Sequence, residues 1–158
     1  ASILIHKVSN PSDFGVAKIL DNKIVELIEK PKKFVSNHAV TGLYFFPNDC
    51  INFASDIKPS DRGELEITDL LNFYLKESRL HHIFTGRGTF WTDSGSVGSL
   101  NDASNFVRAI QNSQGLVICA PEEVALYKNF ISKEQFIKLI ENYNSEYAEK
   151  LKNTIDYN

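Results

Sequence analysis

Three short stretches combine residue types and spacings suited to chemistry on a phosphorylated, hydroxyl-bearing ligand. In Trp91-Thr92-Asp93-Ser94-Gly95 the only tryptophan stands two residues ahead of a carboxylate placed at a Ser-Gly break. Asp93 has two readings there. It can cap a helix starting near Ser96, or it can offer magnesium a hard oxygen, since that ion takes one or two carboxylates and fills its shell with water and phosphate oxygens. Glu64, Glu66 and Asp69 are candidates for a second carboxylate by type alone.

Glu29-Lys30-Pro31 ends an extended segment on opposite charges, and the proline stops the strand so that both side chains can turn toward a cleft. The carboxylate can accept hydrogen bonds from sugar hydroxyls, and the ammonium can meet a phosphate as a point charge. Arg62-Gly63-Glu64-Leu65-Glu66-Ile67 precedes a helix, with a glycine that lets backbone approach a ligand and a planar guanidinium that matches phosphate oxygens. Taken singly, the first also reads as a solvated strand end and the second as an acidic first turn with a surface arginine.

Other chemistries lack support in the residues. His81-His82 has no spaced partner for zinc, and neighbours on a strand face opposite ways. No Gly-x-Ser-x-Gly elbow, P-loop or Gly-x-Gly-x-x-Gly fingerprint occurs, and Gly86-Arg87-Gly88 is too short to cradle a phosphate alone.

The elements that must position these residues follow from periodicity. Ala1 to Val8 alternates as a strand, Asn10 to Asp13 is a turn, and Phe14–Leu20 with Ile24–Ile28 forms a hairpin about Asp21-Asn22-Lys23. Ala39 to Phe46 is a nearly continuous apolar run, expected to be a buried central strand. Ile67, Leu70, Leu71, Tyr74 and Leu75 share one helical face, ending near Ser78. His81–Thr85 and Thr89–Trp91 read as short extended segments, and Leu100, Ala103, Val107 and Ile110 as the stripe of a helix after Gly95. Pro121-Glu122-Glu123 is an acidic first turn, and Ser132 to Gln135 a capping box ahead of a stripe through Phe136, Ile140, Tyr143, Tyr147 and Leu151.

The composition is that of an ordinary globular domain, 42% hydrophobic over 158 residues. Seventeen basic and twenty acidic side chains leave a net charge of −3, which supplies no broad field for nucleic acid or an acidic membrane, so neither partner is expected. Cys50 and Cys119 have no metal-ligand spacing and read as two reduced thiols of a cytoplasmic protein.

In order along the chain, Phe14-Gly15-Val16, Glu29-Lys30-Pro31, Val40 to Phe45, Arg62 to Thr68, Gly86-Arg87-Gly88 and Trp91 to Gly95 resemble the second half of a bacterial glucose-1-phosphate thymidylyltransferase. The likeness continues through Gln114-Gly115 and Pro121 to Ala125, so it spans essentially the whole chain. It implies an α/β fold: a partial Rossmann-like nucleotidyltransferase mixed sheet with a hairpin, followed by a helical carboxy-terminal region. Residues 1–113 would be the sugar-phosphate half and 114–158 an assembly and regulatory region. The implied parent reaction joins dTTP and glucose 1-phosphate into dTDP-glucose and pyrophosphate, on the route to rhamnose and other deoxysugars, in a homo-oligomer that is tetrameric in the family.

By the same resemblance Gly15, Glu29 and the Val40 backbone hold the glucose ring, with Tyr44 and Trp91 also lining the substrate. Lys30 and Arg62 hold the phosphate, and Asp93 is one of two aspartates on Mg2+. Phe14 departs from a usual tyrosine, and Thr92 and Ser94 from a usual Leu and Thr. Tyr127 replaces an arginine that in relatives helps bind a nucleotide at a regulatory site. The glycine-rich triphosphate loop and the other metal aspartate would precede Ala1, in an upstream half of about 130 residues. The chain alone is therefore expected to lack measurable transferase activity. Two alternatives stand beside this: a parent that uses another nucleotide, and a sugar-phosphate-binding or assembly module without catalysis.

Overall fold

A computed structural model describes residues 1–156. The chain divides into two compact units, Ala1–Trp91 and Thr92–Asn158. The division lies at the tryptophan, ahead of the change of texture at residue 114.

The first unit is a mixed five-stranded sheet with helices. Its strands are β1 (Ser2–Lys7), β2 (Gly15–Leu20), β3 (Lys23–Glu29), β4 (His38–Phe45) and β5 (His81–Phe84), in the order β3-β2-β4-β1-β5. Only β1 and β5 run parallel; the other pairings are antiparallel. Two helices, α1 (Cys50–Ser55) and α2 (Ile67–Lys76), fill the long connection from β4 to β5. The hairpin is made by Asp21 and Asn22, both with positive φ (46° and 59°), a pair that matches the twist of the flanking strands. The turn pairs Leu20 with Lys23 and Ile19 with Ile24, and after a one-residue register shift at Lys18 the ladder pairs Ala17 with Leu27, Val16 with Ile28 and Gly15 with Glu29.

The core of this unit is Ile3, Ile5, Ala17, Ile24, Leu27, Val40 and Leu71. The face of α2 expected from its spacing is the buried one, with Leu70, Leu71 and Tyr74 inside. β4 departs from its expectation. It is central, but burial stops after Thr41, and Leu43 and Phe45 are about half exposed. Its ladder with β2 holds the pair Val16 and Ala39, so the second half of the strand lacks that neighbour. Thr89–Trp91 is not a strand. Gly86 to Thr89 closes a turn, with the Thr89 amide donating to the Gly86 carbonyl and Gly88 at φ 93°, and the following residues find no ladder. Helix α1 was not anticipated, because its six residues carry no apolar period.

The second unit is helical: α3 (Val97–Gln114), α4 (Pro121–Tyr127), α5 (Lys133–Glu141) and α6 (Glu146–Asp156). Its own core joins Ala120, Phe136, Ile140 and Leu151. The Tyr147 hydroxyl donates to Glu122 at 2.5 Å, tying α6 to α4; burial and that carboxylate push the phenol up to about 12. Ser132 caps α5 in a box with Gln135, as its sequence requires. Among the described residues no helix is long and apolar enough to cross a membrane.

Candidate functional site

The hairpin ladder shifts register by one residue between Lys18 and Ile19, and beyond that irregularity Gly15 faces Glu29 at its far end. A Cβ on Gly15 would stand 2.9 Å from Thr68 Cγ2, 3.1 Å from Glu29 Oε2 and 3.9 Å from Val40 Cβ. Four residues from β2, β3, β4 and the first turn of α2 therefore converge where no side chain larger than hydrogen fits. Gly15, Glu29 and Val40 were expected to act together, and the fold brings them together. Thr68 joins them without having been singled out.

Thr68 is almost fully buried, and its Oγ1 has no hydrogen-bond partner among the described residues. A buried hydroxyl without a partner is costly, and such a group at a glycine-lined cradle is available to a ligand. The signal for it was already in the sequence, since Thr68 ends the run that begins at Arg62. Tyr44 lies within the field of the same carboxylate: burial first, and the Glu29 charge second, raise its phenol above the ordinary tyrosine value.

Lys30 follows directly. Its φ is 40°, a left-handed conformation unusual for a residue with a Cβ, and its amide donates to the Phe14 carbonyl at 3.0 Å. That bond fastens the end of β3 beside Gly15 and sends the chain away into buried Pro31, while the lysine side chain stays exposed. Phe14 in turn packs edge-on against Trp91, with ring centroids 5.1 Å apart. Trp91 also meets His6, with ring centroids 5.6 Å apart. Trp91 is thus linked through Phe14 to the Gly15 cradle.

Arg62 sits in a tight loop closed by Gly63, whose φ is 78° and whose amide donates to Ser60. The guanidinium is paired with Glu64 at 2.7 Å and with Glu66 at 3.2 Å. Glu66 is buried and also accepts from Ser60, so it orients the arginine from below, whereas Glu64 is exposed and readily exchanged for another anion. Of the carboxylates considered as further metal ligands, Glu64 and Glu66 are thus both paired with Arg62.

Asp93 belongs to the second unit. The cap of α3 is Ser96, in a box with Ser99, so the capping role for Asp93 is excluded. Its exposed carboxylate folds back over Gly95, where a Cβ would lie 2.7 Å from Oδ2, and it makes no ion pair among the described residues. One hard oxygen free of a cation fits magnesium as a single protein ligand. Among the described residues no group of three or more His, Cys, Asp or Glu could hold a metal by itself. Tyr127, at the end of α4, is about half exposed.

Comparison with known proteins decides the family. The model of the nucleotidyl transferase family matches residues 1–110. The chain belongs to that family. Among curated relatives, the glucose-1-phosphate thymidylyltransferase of Xanthomonas campestris pv. campestris is 44% identical over 140 residues, 88% of this chain and 48% of the relative. That of Mycolicibacterium smegmatis is 46% identical over 135 residues, 85% of this chain and 47% of the relative. This nucleotidyl transferase chain thus spans about half the length of the curated relatives it matches. Among solved structures, a Bacillus anthracis protein assigned as a glucose-1-phosphate thymidylyltransferase, in complex with sucrose, superposes with a TM-score of 0.61 at 42% identity, over 68% of this chain and 43% of that one. A UDP-glucose pyrophosphorylase complexed with UDP-glucose gives 0.56 at 29% identity, over 68% and 44% of the two chains.

Proposed function

We propose that this chain carries the sugar-phosphate half of a glucose-1-phosphate thymidylyltransferase. The observation that carries the reading is the convergence of Gly15, Glu29, Val40 and the unpartnered Thr68 hydroxyl at one end of the hairpin. The missing side chain of Gly15 lets Glu29 and Thr68 draw together, and a pyranose lying against this cluster would give hydroxyls to the Glu29 carboxylate and bond the Thr68 hydroxyl. Tyr44 and Trp91 add ring surface. Lys30 and Arg62 supply the cations for the sugar's phosphate, Arg62 by exchanging Glu64 for it.

In the reaction an oxygen of the sugar phosphate attacks the α-phosphorus of dTTP in line. A bond forms between that oxygen and phosphorus, the bond to the β-phosphate bridge breaks, and pyrophosphate leaves. The chain's residues contribute orientation and fixed positive charge, and no covalent enzyme intermediate is needed. Mg2+, with Asp93 as one ligand, would supply further neutralisation of the phosphate oxygens. The product is dTDP-glucose, a precursor of rhamnose and related deoxysugars, made in the cytoplasm. Residues 114–158 serve assembly into a homotetramer and regulation, with the latter altered by Tyr127.

Two titrations test the reading. The purified chain is expected to bind glucose 1-phosphate calorimetrically and to release no pyrophosphate when dTTP and Mg2+ are added. Absence of binding at millimolar sugar phosphate would refute the cradle, and pyrophosphate release would refute the half-site. A nucleotide panel on the longer parent then separates thymidylyl from uridylyl transfer.

A further inference from the structure

Trp91 is held in an unusual way. It lies in no strand or helix, and among the described residues it makes no hydrogen bond, so its ring contacts with His6 and Phe14 are what hold it. One of those rings is Phe14, anchored by its carbonyl to Lys30. The other is His6, on the half-buried side of β1 beside the core residue Ile5.

A bare imidazole at this place would be free to turn about its outer bond. Here it is locked. The parallel ladder of β1 and β5 runs past Phe84, with the Thr85 amide donating to the Ile5 carbonyl at 2.9 Å. That bond sets Thr85 beside His6, and Thr85 Oγ1 lies 2.6 Å from His6 Nδ1 and 3.2 Å from the same Ile5 carbonyl oxygen. With the hydroxyl proton given to the carbonyl, Nδ1 is the donor to Oγ1, and this bond holds the ring toward Thr85, the residue that follows β5. Its face is then tilted 40° to the indole, with the ring tied to Thr85 and Thr85 in turn to Ile5.

We propose that His6 is a positioning residue of the sugar site: locked by Thr85, it holds the Trp91 indole against Phe14 at the rim of the Gly15 cradle. The inference rests on the reading of that cradle as the sugar site. Nothing in the residue types marks His6 for this role, because it is brought to Trp91 by the pairing of strands far apart in the chain.

The single tryptophan makes the test a one-site measurement, since all indole emission of this chain comes from Trp91. Thr85→Val keeps the shape of the residue and removes the lock; His6→Ala removes the ring. Both are expected to shift Trp91 emission to the red, increase its quenching by acrylamide, and weaken glucose 1-phosphate by about five- to tenfold. Thermal melting of Thr85→Val by circular dichroism reports whether the fold is kept. On a Trp91→Ala background His6→Ala should cost no further affinity, because it acts through the indole. If Trp91→Ala weakens binding while both other variants keep parental emission and affinity, the positioning role is overturned and the cradle stands. If Trp91→Ala binds as tightly as the parent, the indole's place in the sugar site is overturned, and emission alone still decides whether His6 holds it. An additive double variant overturns action through Trp91.

Discussion

Gly15 illustrates how a single atom decides what a site can hold. Its neighbours come from three other elements, and a methyl group there would press on Thr68 Cγ2 and Glu29 Oε2 together. Gly15→Ala is expected to fold, at a cost of about 1–3 kcal/mol for overpacking, and to lose glucose 1-phosphate affinity by at least about tenfold. Calorimetry with a thermal melt checks both; affinity within twofold of the parent would mean that the ring does not sit over Gly15. Arg62 shows a different economy, in which a buried glutamate orients the guanidinium while an exposed one takes its other amino group.

At the scale of elements, local signals and packing did different work. Ser132 and Gln135 satisfy each other's backbone amides, and α5 begins where that box says it must. Ser132→Ala should destabilise the helical unit by about 1 kcal/mol, read as an earlier urea transition by far-ultraviolet circular dichroism; an unmoved midpoint would mean that α5 is held by its core contacts alone. The same logic moved the cap of α3 from Asp93 to Ser96, since the Ser96 hydroxyl accepts from the Ser99 amide at 3.1 Å and the Ser99 hydroxyl returns the bond. By contrast Thr89–Trp91 had strand-like residues and no strand beside it.

At the scale of the whole first unit, a polar network joins Asp49, Tyr74 and Arg79 to the amino terminus. The buried Tyr74 hydroxyl donates to Asp49 at 2.7 Å, Arg79 donates to the same carboxylate at 2.6 Å, and the Arg79 carbonyl accepts from the amino terminus at 2.8 Å. The Arg79 and Tyr74 bonds hold the Asp49 carboxyl below its ordinary value of 3.8. A depressed carboxylate stabilises the fold above its unfolded value, and that contribution is lost as pH falls through the folded one. Burial and the Asp49 bond push Tyr74 from 10.0 to about 12, so its contribution is complete below 10.0 and lost as pH rises through about 12. Asp49→Asn should lower the melting temperature at neutral pH and flatten both limbs of the stability profile, most plainly the acid one. Parallel acid limbs in parent and variant would rule out Asp49 as their source.

The sequence by itself determined the features that depend on neighbours along the chain: the hairpin from Asp21-Asn22, the buried stripe of α2, the capping box of α5, and the ordered motifs that mark a nucleotidyl transferase. Spacing and turn chemistry act over a few residues, so they are legible without a fold. Gly15, Glu29 and Val40 could be named from motifs, but that they meet Thr68 is a property of four elements packed together. His6 and Thr85 were invisible for the same reason, because a parallel pairing across most of the first unit brings them within 2.6 Å. Burial was also decided tertiarily: the apolar run of β4 has one residue texture throughout, yet only its first half is covered, since burial depends on what lies beside a strand as much as on what it is made of.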